Sequence, residues 1–228
     1  MQAIAGAVAP QGPRWVAVWG RRESDAGVVV AEYGGPEVLR VAEVPEPEAG
    51  PGEVTISVRF AGVNFTDVRN RIGDGLGTVP FVPGVEVAGS IRQVGDGVSG
   101  LNPGQPVASL TRGHGYAEVA RAAAELTVPL PENLAGRPES GGMLVTVPLA
   151  LMLLRRVARV QPEETVLLHG AAGGVGTVTG QLARHWGLRP LLGTASSPAK
   201  AEFARGYGYS QVFSYADFPE GVLAARAG

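Results

Sequence analysis

The stretch His169–Gly176 reads H-G-A-A-G-G-V-G, and no other part of the chain constrains its fold as strongly. A short apolar run, Thr165–His169, leads into it, and a segment of helical periodicity, Val175–Gly187, leads out. Within it Ala171-x-Gly173-x-x-Gly176 has the spacing of the dinucleotide fingerprint G-x-G-x-x-G, with alanine in the first place. The chain there has to turn sharply from strand to helix and bring bare backbone up to a pyrophosphate at Gly173 and Gly174. Gly176 has to let helix pack closely on strand. The unpaired N–H groups of the new helix then face an anion. Further along come a strand at Pro190–Thr194, a helix at Pro198–Tyr207 with Ser197 as its N-cap, and a strand at Gln211–Ser214. Strand, helix, strand, helix, strand is one mononucleotide-binding half of a doubly wound parallel sheet.

At the end of the second strand a site for NAD usually carries Asp or Glu for the ribose hydroxyls. Here the chain reads Thr194-Ala195-Ser196-Ser197, with Lys200 following. Nothing in that run repels a 2′-phosphate, and its hydroxyls and ammonium can bind one, which favours NADP over NAD.

Before residue 130 the texture is different. Short runs at Gly27–Tyr33, Val38–Val44, Val54–Val63, Val85–Val94, Val107–Leu110, Tyr116–Ala120 and Leu126–Val128 are separated by turn residues. The 34 glycines and 18 prolines fall between such runs rather than in tracts. In Val54–Val63, Val54, Ile56, Val58 and Phe60 alternate with Thr55, Ser57 and Arg59, a period that puts one face on a core. Many short strands at this spacing predict a compact barrel-like β domain. Residues 1–26 lack periodicity and read as an N-terminal extension, 27–132 as the β domain and 133–228 as the nucleotide-binding part. In the latter a helix is expected over Pro138–Val160, kinked or interrupted by Pro148.

A formal net charge of −2 gives no electrostatic case for nucleic acid or an anionic membrane. No apolar run approaches the roughly 20 residues that span a bilayer. The absence of cysteine excludes disulfides and thiolate zinc sites, and His114, His169 and His185 have no partners at ligand spacing. A metal-free, cytoplasmic protein is the expectation.

Several motifs together resemble the medium-chain dehydrogenase/reductases, in particular zinc-independent quinone oxidoreductases and the enoyl reductase domains of modular polyketide synthases. They are Tyr33-Gly34-Gly35-Pro36-Glu37-Val38-Leu39, Ala61-Gly62-Val63-Asn64-Phe65-Thr66-Asp67-Val68, Pro83-Gly84-Val85-Glu86-Val87-Ala88-Gly89, Val94-Gly95-Asp96-Gly97-Val98, Gly115-Tyr116-Ala117-Glu118, and the Gly-rich turn continued through Gln181-Leu182-Ala183. The resemblance implies an α+β protein in two parts, a GroES-like β-barrel followed by a partial Rossmann domain with its first three strands. It also implies NADPH as cofactor and hydride transfer to a quinone or an α,β-unsaturated carbonyl compound, with a lean toward polyketide metabolism. Carried over by position, Asn64 stands beside nicotinamide and substrate and is the catalytic candidate. The turn Ala172, Gly173, Gly174, Val175 and Gly176 holds the pyrophosphate, and Ser197, Lys200 and Tyr215 hold the 2′-phosphate. His169 is read as structural.

Three departures stand against the pattern. Leu149-Ala150 occupies the place of a Thr-Ala pair near the nicotinamide, and Val68–Gly77 lacks the tyrosine that relatives often carry there. The chain also stops after the third nucleotide-domain strand, where a whole relative runs on for roughly another 100 residues, the second half of the sheet. Thr165–His169 is then left as an open edge: either the sequence is a fragment, or the edge is covered by a second copy, a complementary chain or a rearranged element such as residues 1–26. A redox-inactive small-molecule binding or cyclisation protein is the alternative reading.

Overall fold

The computed structural model describes residues 24–188 and 190–226, which cluster into two compact units divided between Gly136 and Arg137. In the first unit, β1 (Ser24–Val30) and β2 (Leu39–Pro45) pair antiparallel, from Ser24 opposite Pro45 to Val30 opposite Leu39. β3 (Glu53–Ala61), β4 (Glu86–Val94), β5 (Pro106–Leu110), β6 (Val119–Ala123) and β7 (Thr127–Pro129) form a five-stranded sheet in the order β6-β3-β4-β5-β7. The first strand starts at Ser24, inside the stretch read as an extension. Asp25 explains the earlier start, because its buried carboxylate accepts from Val119 N at 2.9 Å and ties β1 to β6. Residues 1–23 lie outside the described residues.

The alternation expected along β3 does not appear as buried residues alternating with exposed ones. Val54 and Ile56 are fully buried beside Val87, Ile91, Val107 and Ala120. Thr55 is buried as well, between β4 on one side and β6 on the other. Two register shifts against β4, after Thr55 and after Val58, rotate the strand, so Phe60 is only half-buried. A helix that the periodicity did not indicate, α1 (Phe65–Ile72), follows and ends on Gly73, which is left-handed at φ 83°.

The second unit holds β8 (Val166–Leu168), β9 (Leu191–Thr194) and β10 (Gln211–Phe213), all parallel, in the order β10-β9-β8. Around them run α2 (Thr146–Met152), α3 (Gly174–His185), α4 (Pro198–Arg205) and α5 (Phe218–Arg226). Leu154, Ala171, Ala183, Leu191, Ala204 and Tyr209 form the core of this unit. The helix expected over Pro138–Val160 is in fact three pieces: a 3₁₀ turn at Pro138–Gly142, α2, and a π-helical segment at Leu153–Val157. Pro148 does not kink α2. It sits in the first turn, where a missing N–H costs nothing, so proline sets where the helix begins.

Candidate functional site

The C-terminal ends of the three parallel strands meet at one end of the sheet, where doubly wound sheets bind ligands. β8 leaves through His169 and Gly170, the latter left-handed at φ 72°. Gly173 N donates back to Gly170 O at 2.9 Å and closes the turn, and Ala171 N donates to Thr194 O at 2.9 Å, locking it to β9. α3 then starts from Gly173, in extended backbone with no side chain capping it. The first N–H groups of α3 have no intrahelical acceptor. Gly173 and Gly174 are exposed, so these donors open onto solvent.

The glycines are not equivalent. A Cβ on Gly176 would lie 2.5 Å from Ala171 O and 2.6 Å from Gly170 O, so helix and turn meet backbone to backbone there. A Cβ on Gly173 would meet only Gly170 O, at 3.2 Å, and one on Gly174 only the Thr146 methyl, at 3.1 Å. Gly176 is required by packing, whereas Gly173 and Gly174 leave bare backbone on an open face. That is the fit a pyrophosphate needs. Ala172 and Val175, the other two residues of the turn, are half-buried.

At the end of β9, Ser197 Oγ accepts from Lys200 N at 3.3 Å and caps α4. Lys200 Nζ donates to Ser196 Oγ at 3.2 Å, which brings the exposed ammonium back to the strand end. The parallel register pairs Phe213 with Thr194, so Tyr215 leaves β10 level with Ser196 and is 52% exposed. Two hydroxyls, an ammonium and a phenol thus share one end of the sheet, and the β9 end carries no carboxylate.

Two residues outside the glycine motif hold this turn in place: Thr194, whose hydroxyl faces inward rather than toward a 2′-phosphate, and Tyr209, which the sequence did not single out. Thr194, fully buried, has its Oγ1 3.1 Å from His169 Nδ1. His169 also packs edge-on against Phe218, with ring centroids 4.9 Å apart. Tyr209 donates its hydroxyl to Gly176 O at 2.7 Å, and burial pushes that phenol's pKa up. Their sequence signal was slight, since neither belongs to the glycine motif. At the place of the expected Thr-Ala pair, Ala150 is buried and Leu149 is 41% exposed, and the threonine of α2 that reaches Gly174 is Thr146.

In the first unit Asn64 is the N-cap residue of α1. Its N–H donates to Asp67 Oδ2 at 2.8 Å, and its Nδ2 donates to Glu86 Oε1 at 2.9 Å. Asp67, 6% exposed, also accepts from Gly84 N at 3.1 Å and from the Tyr116 hydroxyl at 3.0 Å. Burial, then the charge and hydrogen bond of Asp67, raise the Tyr116 pKa. Asn64 is therefore a fixed residue at the mouth of a buried carboxylate network. The Asn64-x-x-Asp67 spacing is itself a capping signature. No group of three or more His, Cys, Asp or Glu able to hold a metal occurs among the described residues, nor does any helix long and apolar enough to cross a membrane.

The chain is similar to known proteins in sequence and in fold. Residues 50–147 match the alcohol dehydrogenase GroES-like domain. The chain is 40% identical to the quinone oxidoreductase of Rattus norvegicus over 192 residues, 82% of this chain and 57% of that protein. It is 41% identical over 152 residues to the pikromycin polyketide synthase component PikAII of Streptomyces venezuelae, 67% of this chain and 4% of that one. Among solved structures it matches a probable oxidoreductase from Mycobacterium abscessus with a TM-score of 0.83 and 32% identity, over 90% of this chain and 67% of that chain. The Escherichia coli quinone oxidoreductase complexed with NADPH gives 0.79 and 29%, over 84% and 59%. The CurK enoyl reductase gives 0.81 and 29%, over 90% and 65%. The chain thus spans little more than half the length of the curated quinone oxidoreductases it matches. By domain match, identity and fold, it belongs to the medium-chain dehydrogenase/reductase superfamily, in the zinc-independent quinone oxidoreductase and enoyl reductase branch.

Proposed function

We propose that this chain carries the NADPH-binding half-site of an oxidoreductase that reduces a quinone or an α,β-unsaturated carbonyl compound, with residues 27–132 as the catalytic-type domain and 133–228 as the nucleotide-binding part. The observation that carries the proposal is the pairing of two features on adjacent strand ends. The α3 N-terminus is bare and exposed at Gly173 and Gly174, and Ser196, Ser197 and Lys200 gather where a carboxylate would otherwise select NAD. When bound, the nicotinamide supplies the hydride.

The chain's own residues then have separate duties. The bare backbone at Gly173 and Gly174, where α3 begins, holds the pyrophosphate, with Ala172, Val175 and Gly176 completing the turn. Lys200, Ser197 and Tyr215 take the 2′-phosphate. Asn64, fixed by Glu86, is the catalytic candidate of the first unit. Matched proteins described as quinone oxidoreductases, one of them complexed with NADPH, support the cofactor and the quinone class. The CurK and PikAII matches support the enoyl class and a place in polyketide metabolism.

Mixing the protein with NADPH and a panel of short quinones and enoyl thioesters tests the activity. Loss of nicotinamide absorbance that depends on both enzyme and acceptor is expected. NADPH that binds but is not consumed with any acceptor would remove the reductase reading and leave the redox-inactive alternative.

A further inference from the structure

A cavity of about 440 Å³ lies within the first unit, walled by Val44, Val82, Leu110 and Leu126 and rimmed by charged residues of the loop after β5 and of β6. Its size is that of a small-molecule site. The charges around it are unequally matched. Glu46 is paired with Arg92 at 2.8 Å, and Glu53 with Arg121 at 3.6 Å. Arg112 also lines the cavity and makes no ion pair among the described residues. His114, on the same loop, adds no charge, because burial and then Arg121 hold its pKa below the ordinary value and keep it neutral at pH 7.

The loop that places these side chains is tightly specified. Gly113 and His114 are both left-handed, at φ 103° and 64°, a conformation that a non-glycine residue seldom adopts. His114 N donates to Val82 O at 2.9 Å and Thr111 Oγ1 to Gly84 O at 2.9 Å, so the loop is fastened on both sides of Arg112. An apolar chamber with one unmatched guanidinium at its rim suits a ligand with an apolar body and a single negative charge.

We infer that this cavity is a binding site for a small organic carboxylate with an aromatic or branched apolar body, its carboxylate on Arg112 and its body against Val44, Val82, Leu110 and Leu126. The site is separate from the strand ends that hold the glycine turn, and it stands whether or not NADPH binds there.

Benzoate and its neutral counterpart benzyl alcohol are the probes, titrated into the whole 228-residue chain and followed by amide chemical shifts. Benzoate is expected to bind about tenfold tighter than the alcohol, with shifts at Val44–Pro47, Leu110–His114 and Arg121–Leu126. Arg112→Gln, a change at an exposed position, is expected to bring the two affinities together while leaving that of the alcohol unchanged. Equal affinities in the unaltered protein, a carboxylate preference that survives Arg112→Gln, shifts confined to other residues, or no binding by either probe would each overturn the inference.

Discussion

Asp25 is a carboxylate 6% exposed, with Oδ2 on Val119 N and Oδ1 without a partner. Burial is the main cause that raises its pKa from 3.8 to about 6, opposed by the Val119 N–H and reinforced by Glu118 and Glu46. The folded state therefore holds the proton more tightly than the unfolded chain. The stability gained from that proton is complete below pH 4 and is lost as pH rises toward 6, by something on the order of 3 kcal/mol. Asp25→Asn keeps an acceptor for Val119 N and removes the charge. It should raise stability at pH 7.5 and flatten the slope between pH 4 and 6, as read by urea unfolding at several pH values. A second residue-scale contrast separates packing from binding within the glycine turn. Gly176→Ala forces backbone apart at 2.5 Å and should cost about 2 kcal/mol or more. Gly173→Ala meets one oxygen at 3.2 Å and should fold, yet weaken NADPH binding by covering the bare backbone. Melting temperature and cofactor titration, measured on both variants, distinguish the two roles. If Gly173→Ala binds NADPH unchanged, the pyrophosphate does not sit at that backbone.

Among the elements, the helix-bearing strands of the second unit were readable because each carries its own local signal. Ser197 before Pro198 announces the α4 cap, and Ser197→Ala should cost about 1 kcal/mol in thermal or chemical unfolding. Other elements lacked such a signal. α1 is eight residues long with Phe65 and Ile72 both exposed, so it has no apolar stripe to detect, although Asn64-x-x-Asp67 marked its start. α5 was likewise unmarked, whereas Pro148 interrupts the helix expected over Pro138–Val160, by fixing where α2 begins rather than by kinking it. The links that matter most to Asn64 join residues far apart in sequence, to Glu86 and, through Asp67, to Tyr116, and no local pattern reports those. β8 pairs only with β9 among the described residues, with all three of its residues half-buried. A parallel edge of this kind can accept a further strand, from a longer chain, a second copy or a complementary chain. Native mass spectrometry should find a dimer at micromolar concentration, and a clean monomer would remove a second copy as the cover.

At the scale of the whole molecule, the sequence carried the division into a β-rich unit and a strand-helix unit because the periodicity changes once, near residue 130. The structure divides at Gly136. The separate duties of Gly173, Gly174 and Gly176 were legible in the motif spacing, whereas the contacts that hold the turn, Thr194 with His169 and Tyr209 with Gly176, join residues too far apart for any local pattern to report. The second unit is proposed to hold the phosphates of NADPH, the pyrophosphate on the α3 N-terminus and the 2′-phosphate on Ser197, Lys200 and Tyr215. Calorimetric titration of the purified chain with NADPH and with NADH tests it most directly, repeated on Lys200→Ala. NADPH is expected to bind about tenfold or more tighter than NADH, and Lys200→Ala to remove most of that difference. Equal affinity for the two nucleotides, or no binding of NADPH at millimolar concentration, would contradict it.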